Sequence, residues 1–132
     1  MLSKPLMAHL ASVSPEGPRH SPVWFLWESP VLWLIGRSTD GFVRRLCADA
    51  RCAVGVVDFD AGAGRLRHVG IRGTAELRPM DEAILARLLS RYLGPERACW
   101  RADFVTRVVQ PLDALLRVSA QSVICREQSY FR

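Results

Sequence analysis

The chain has 132 residues, a net charge of +5, 49% hydrophobic residues and 23% charged residues. That balance is ordinary for one globular domain, which at this size can bury roughly two thirds of its unfolded surface, and it excludes disorder as the default state. No apolar run approaches the ~20 residues that span a bilayer, Met1-Leu2-Ser3-Lys4-Pro5 lacks the apolar stretch of a signal peptide, and the arginines are scattered from Arg19 to Arg132 rather than gathered into a nucleic-acid stripe. The expectation is one cytoplasmic domain over residues 1–132, with no nucleic-acid or membrane partner.

Residues 7–13 read as a first strand, and Ser14-Pro15-Glu16-Gly17-Pro18 as a strong turn. A second strand is expected over 19–28. Its centre, Pro22-Val23-Trp24-Phe25-Leu26-Trp27, is apolar on both faces, so both must be covered, one by a barrel interior and the other by a partner subunit, a helix or a cofactor. Glu28-Ser29-Pro30 turns the chain into a third strand, 31–35. Arg37-Ser38-Thr39-Asp40-Gly41 leads into a short helix over about 40–49, with Ser38 or Thr39 as cap and Phe42, Val43, Leu46 and Cys47 at helical spacing.

A fourth strand covers 52–59, a flexible loop 60–64, and a fifth strand 67–77, where Val69, Ile71, Gly73, Ala75 and Leu77 alternate with polar or small residues. The clearest helix follows: Met80, Ile84, Leu85, Leu88, Leu89, Tyr92 and Leu93 share one face, Pro79, Asp81 and Glu82 mark its start, and Gly94-Pro95 ends it. Residues 96–109 read as helical. Leu115-Leu116-Arg117-Val118 and Ser122-Val123-Ile124-Cys125 read as a last strand with a bulge between them. The predicted fold is mainly β (α+β): a six-stranded antiparallel split β-barrel of Greek-key type with two or three flanking helices.

Cys47, Cys52, Cys99 and Cys125 form no C-x-x-C pair, so neither zinc nor redox chemistry is indicated, and they read as small apolar residues with Cys99 the most exposed. His9, His20 and His68 are isolated in sequence and read as structural. No catalytic triad, carboxylate pair or metal set is present in the pattern. The segment around Arg37, Ser38, Thr39, Arg44 and Arg45 has two readings: a capped helix with exposed arginines, or an anion site built on a helix N-terminus.

Three words of this sequence, in this order, resemble the FMN-binding split-barrel family that includes pyridoxamine 5′-phosphate oxidase. They are His9-Leu10-Ala11-Ser12-Val13 with Pro15-Glu16-Gly17-Pro18 and Ser21-Pro22-Val23-Trp24-Phe25, then Arg44-Arg45-Leu46 with Asp49-Ala50-Arg51-Cys52-Ala53-Val54, then Val69-Gly70-Ile71-Arg72-Gly73-Thr74-Ala75. The resemblance runs from about residue 7 to 126. It implies a homodimer with FMN in clefts at the interface and two-electron transfer to a small organic substrate, with a nicotinamide as electron donor. It also implies a ring slot at Pro22, Val23, Trp24 and Phe25, closed by Trp100 or by the partner's C-terminus. The phosphate candidates are Arg37, Ser38, Thr39, Arg44 and Arg45, of which Arg45 is expected to point elsewhere, and Gly36 belongs to the expected cofactor-binding set.

The sequence departs from the family pattern at Gly41 and Phe42, where a basic residue is usual, at Gly36, where a threonine is usual, and at Arg45, where many relatives have asparagine. The C-terminal Gln128-Ser129-Tyr130-Phe131-Arg132 lacks the substrate signature of pyridoxamine 5′-phosphate oxidase itself. Alternatives are a non-catalytic dimeric barrel that has lost FMN, or a relative binding deazaflavin or haem.

Overall fold

The computed structural model describes residues 1–130, so Phe131 and Arg132 of the expected C-terminal segment lie outside the described residues. Seven strands form one antiparallel sheet: β1 (Ala8–Ser14), β2 (Gly17–Val23), β3 (Phe25–Glu28), β4 (Val31–Gly36), β5 (Arg51–Asp60), β6 (Arg65–Arg78) and β7 (Ala114–Glu127). Helix α1 (Gly41–Ala48) joins β4 to β5. Helix α2 (Glu82–Leu93), a short 3-10 turn (Arg97–Cys99), α3 (Ala102–Phe104) and a π-helical turn (Val105–Val109) join β6 to β7.

The strand order is β2-β1-β5-β6-β7-β4-β3. This corrects the expected count of six strands. The predicted strand over 19–28 is two strands, because the chain changes neighbour at Trp24: β2 pairs with β1, and β3 pairs with β4. The two outermost strands of the sheet are therefore consecutive in sequence. Ladder hydrogen bonds leave the barrel open, and one residue, Trp24, links its two edges.

Side-chain alternation through this seam divides the apolar residues between two cores. Val23, Phe25 and Trp27 face the barrel interior with Leu10, Leu32, Leu34, Val54, Val56, Ile71, Leu116 and Val118. Trp24 and Leu26 face outward into a second core built on Leu85, Leu88 and Leu89 of α2, with Ile35, Val109 and Leu115. The two-faced strand is thus covered on its outer side by a helix of its own chain. Asp81 caps α2, its side chain accepting from the Ala83 and Ile84 amides at 2.9 and 3.2 Å.

The expected bulge is real but does not divide the last strand. β7 is continuous, and its register against β6 slips between Arg72 and Gly73, so Gln121 is the extra residue. At the slip the backbones come so close that a Cβ on Gly73 would collide with the Ser119 carbonyl. The slip also inverts the strand's parity. Ala114, Leu116 and Val118 point into the barrel before it, and Val123 pairs with inward Ile71 after it. No helix among the described residues is long and apolar enough to cross a membrane.

Candidate functional site

A cleft of about 340 Å³ opens where the seam meets the end of β4, within the usual size range of small-molecule sites, about 300–1,000 Å³. Pro22, Val23 and Trp24 line it from the seam, and Ile35, Gly36 and Arg37 from the end of β4. Asp40 and Phe42 belong to the start of α1. Phe104, Arg107, Val108 and Leu112 come from the segment before β7. The π-helical turn supplies Arg107 and Val108. Such turns are rare in proteins and recur at functional sites.

Trp24 is fixed from behind. Its ring stacks on Tyr92 with centroids 4.6 Å apart and planes 3° apart, and leans on Phe104 at 6.1 Å. The Tyr92 hydroxyl accepts from the Phe25 amide at 3.1 Å and donates to the Leu6 carbonyl at 2.8 Å. Burial pushes the Tyr92 phenol above its usual range, so it stays neutral. Arg91 lies over the Phe25 ring at 4.9 Å and donates to the carbonyls of Phe25, Leu2 and Lys4. One wall of the cleft is therefore a rigid aromatic stack tied to α2.

The expected ring residues Pro22, Val23 and Trp24 meet at this cleft together with Gly36 and Arg37. Phe25 is fully buried in the barrel core behind them. Trp100 is not on the cleft: its indole N–H donates to the Gly94 carbonyl at 3.1 Å, and Phe104 holds the position it was expected to fill. Sequence reasoning missed Ile35, Asp40, Phe42, Phe104, Arg107, Val108 and Leu112. The i, i+4 pair Phe104 and Val108 was a usable signal within a segment already read as helical.

The expected phosphate residues separate. Arg37 lines the cleft, but its amide donates to Asp40 Oδ2 at 2.9 Å and its Nε to Asp40 Oδ1 at 3.3 Å. The Ser38 amide and hydroxyl donate to the two oxygens of Asp113 at 2.7 and 3.0 Å. These donors hold the Asp113 carboxyl below its usual range. Thr39 is exposed. Arg44 is exposed in a different depression, beside Arg19 and the 13–16 turn. Arg45 does point elsewhere, across the sheet to Ser12 Oγ at 2.9 Å and Ser21 Oγ at 3.1 Å. A flat apolar ring fits the cleft. At the start of α1 the Arg37 and Ser38 donors are engaged by carboxylates, while the first-turn amides of Gly41, Phe42 and Val43 carry no side-chain cap.

Helices cover the outer side of β3, β4 and the first half of β7, whereas the outer side of β1, β2, β5 and β6 is bare. His9 and His20 meet there, their facing ring nitrogens 3.0 Å apart, and His68 lies over Gly55 and Gly70. Among the described residues no group of three or more His, Cys, Asp or Glu is arranged for a metal. Cys99 is exposed, as expected; Cys47 and Cys125 are exposed as well, which corrects their reading as small apolar residues of the interior. Burial of Cys52 pushes its thiol up to about 11, too high for a nucleophile.

No family model and no curated protein matches the chain. Solved structures do. One is described as an F420 reductase, with 28% identity over 93% of this chain and 92% of that chain and a TM-score of 0.70. A FAD-binding protein from Mesorhizobium loti has 18% identity over 97% and 90%, TM-score 0.71. A putative pyridoxamine 5′-phosphate oxidase from Listeria innocua has 14% identity over 95% and 90%, TM-score 0.64.

Proposed function

From a chain with the split-barrel fold of the pyridoxamine 5′-phosphate oxidase-like proteins, we infer a flavin-binding oxidoreductase whose flavin ring lies in the cleft beside Trp24. The observation that carries this reading is the cleft itself: an apolar slot at the barrel seam lined by Val23, Trp24, Ile35, Phe42, Phe104 and Val108. Such a slot buries a planar heterocycle and keeps water from its faces. Proteins of this fold described as F420 and FAD binders support a flavin-type ring in that position.

A bound flavin supplies two-electron transfer by itself, so the chain needs no acid–base pair of its own. Its residues bind and orient. Tyr92 and Arg91 hold the Phe25 backbone beside Trp24 against α2, and the free edge of β2 leaves backbone groups at the cleft able to hydrogen-bond a ring. The reacting partners are a small organic substrate and a nicotinamide donor. A homodimer is part of the reading, supported by the bare outer side of the sheet.

A deazaflavin in the same cleft is the second reading, favoured by the 28% identity to the F420 reductase. Visible spectra of protein purified without added cofactor, followed by fluorescence titration with riboflavin, FMN and a deazaflavin, test the proposal. At least one should bind at micromolar concentration, and Trp24→Ala should weaken it tenfold or more, the effect of losing about 1.4 kcal/mol of stacking. Binding of none of the three returns the chain to the non-catalytic barrels.

A further inference from the structure

We propose that His9 and His20 form a metal site on the outer side of the sheet, taking one late first-row divalent cation of the copper, nickel or zinc type. The inference is independent of the flavin reading and concerns a different surface from the cleft.

Strand register builds the pair. Ala8 and Leu10 are buried, so alternation turns His9 outward from β1. His9 stands opposite Pro22 and His20 opposite Ala11, which makes the two histidines diagonal neighbours on one face of the β1–β2 ladder. Pro18 and Pro22 stiffen β2 on either side of His20. The two rings stack with centroids 5.1 Å apart and planes 15° apart, and His9 Nδ1 lies 3.0 Å from His20 Nε2.

Two imidazole nitrogens bound to one ion at about 2.0–2.1 Å, with about 90–110° between the bonds, stand about 2.8–3.4 Å apart. The spacing of this pair falls inside that range, so an ion replaces the shared proton by a turn of the rings and not of the backbone. The ring that donates passes its proton through solvent to its own outer nitrogen, and both imidazoles stay neutral ligands. Both residues are exposed, so water fills the remaining positions. Among the described residues no third His, Cys, Asp or Glu completes a set with them. Nitrogen donors without a carboxylate favour copper, nickel or zinc over magnesium or calcium. β2 is the outermost strand, so the ion ties the edge of the sheet to β1.

The test is calorimetric titration of untagged protein with Ni²⁺, Zn²⁺ and Mg²⁺, with bound Cu²⁺ followed by electron paramagnetic resonance. Wild type should take one Ni²⁺ per chain at micromolar concentration and no Mg²⁺, and its melting temperature should rise with the ion. His9→Asn and His20→Gln should each weaken Ni²⁺ binding tenfold or more and abolish that rise, with circular dichroism unchanged in the absence of metal. His68, which lies on the same side of the sheet over Gly55 and Gly70, is the control, and His68→Gln should leave binding unchanged. Bound Cu²⁺ should show two imidazole nitrogens in wild type and one in His20→Gln, a signature that ligation by the exposed Cys47, Cys99 or Cys125 does not give. A wild type that takes no Ni²⁺, binding that survives both substitutions, or an equal loss in His68→Gln would overturn the proposal and leave the flavin reading untouched.

Discussion

Asp58 is the buried carboxylate of the barrel, its side chain 5% exposed, held by Lys4 Nζ at 2.7 Å and Arg65 Nε at 3.1 Å. The Lys4 and then the Arg65 hydrogen bonds hold its carboxyl below the ordinary value of 3.8. A depressed folded value means that this stabilisation is complete above the unfolded value and is lost as pH falls through the lower folded one. Asp58→Asn should cost about 1–2 kcal/mol at neutral pH, because both cations are partly exposed and screened. Urea melts across pH should show the gap between the two proteins closing below about pH 4. A gap that persists in acid assigns the cost to packing. At this scale the sequence was only half legible. Arg45 diverges from Arg44 as helical spacing requires, and Arg37 with Asp40 is a local i, i+3 pair, but the pairing of Ser38 with Asp113 depends on a contact 75 residues away that no local pattern contains.

Among the elements, strands and helices were readable from periodicity, since alternation and the α2 stripe report directly which side is buried. The break at Trp24 was not, because nothing in an apolar run marks a change of neighbour. The same run misled about its cover. Trp24 and Leu26 pack on α2, so the two-faced strand does not itself call for a second subunit. The N-terminal segment is an element of the same system: Arg91 of α2 holds the Leu2 and Lys4 carbonyls, and Tyr92 holds that of Leu6. Arg91→Ala should release it. Hydrogen exchange should accelerate at the Lys4 and Leu6 amides, which bond within the segment, and remain slow in β5 and β6. Acceleration everywhere would mean that Arg91 supports the whole fold and not this tie.

At the scale of the molecule, the argument for a dimer moves to another surface. Val57 and Phe59 of β5 and Ile124 of β7 are exposed on the outer side, Phe59 at 58% and Ile124 at 51%. Residues 120–127 of β7 extend past the last β4 partner, so this end of the sheet stands clear of the helices. Gly55 and Gly70, paired in register, leave room for the His68 ring that lies over them. A single domain rarely leaves such a patch bare unless something docks on it. Sedimentation should find a dimer at micromolar concentration and a folded monomer for Phe59→Arg combined with Ile124→Arg. A monomeric wild type would remove the second copy from the account. The split barrel itself was legible because its words recur along nearly the whole chain; the surfaces it presents were not, since alternation tells inside from outside but not outside from interface.

Joining the outermost strands through one residue gives the barrel a hinge where other barrels have a ladder. Thermal opening need break no hydrogen bonds between β2 and β3, only the packing around Val23, Trp24 and Phe25. A molecule seated against that residue meets the end of β2 and the end of β4 together and acts as a clasp. Its binding is then felt as rigidity in the whole sheet, far beyond the few side chains it contacts.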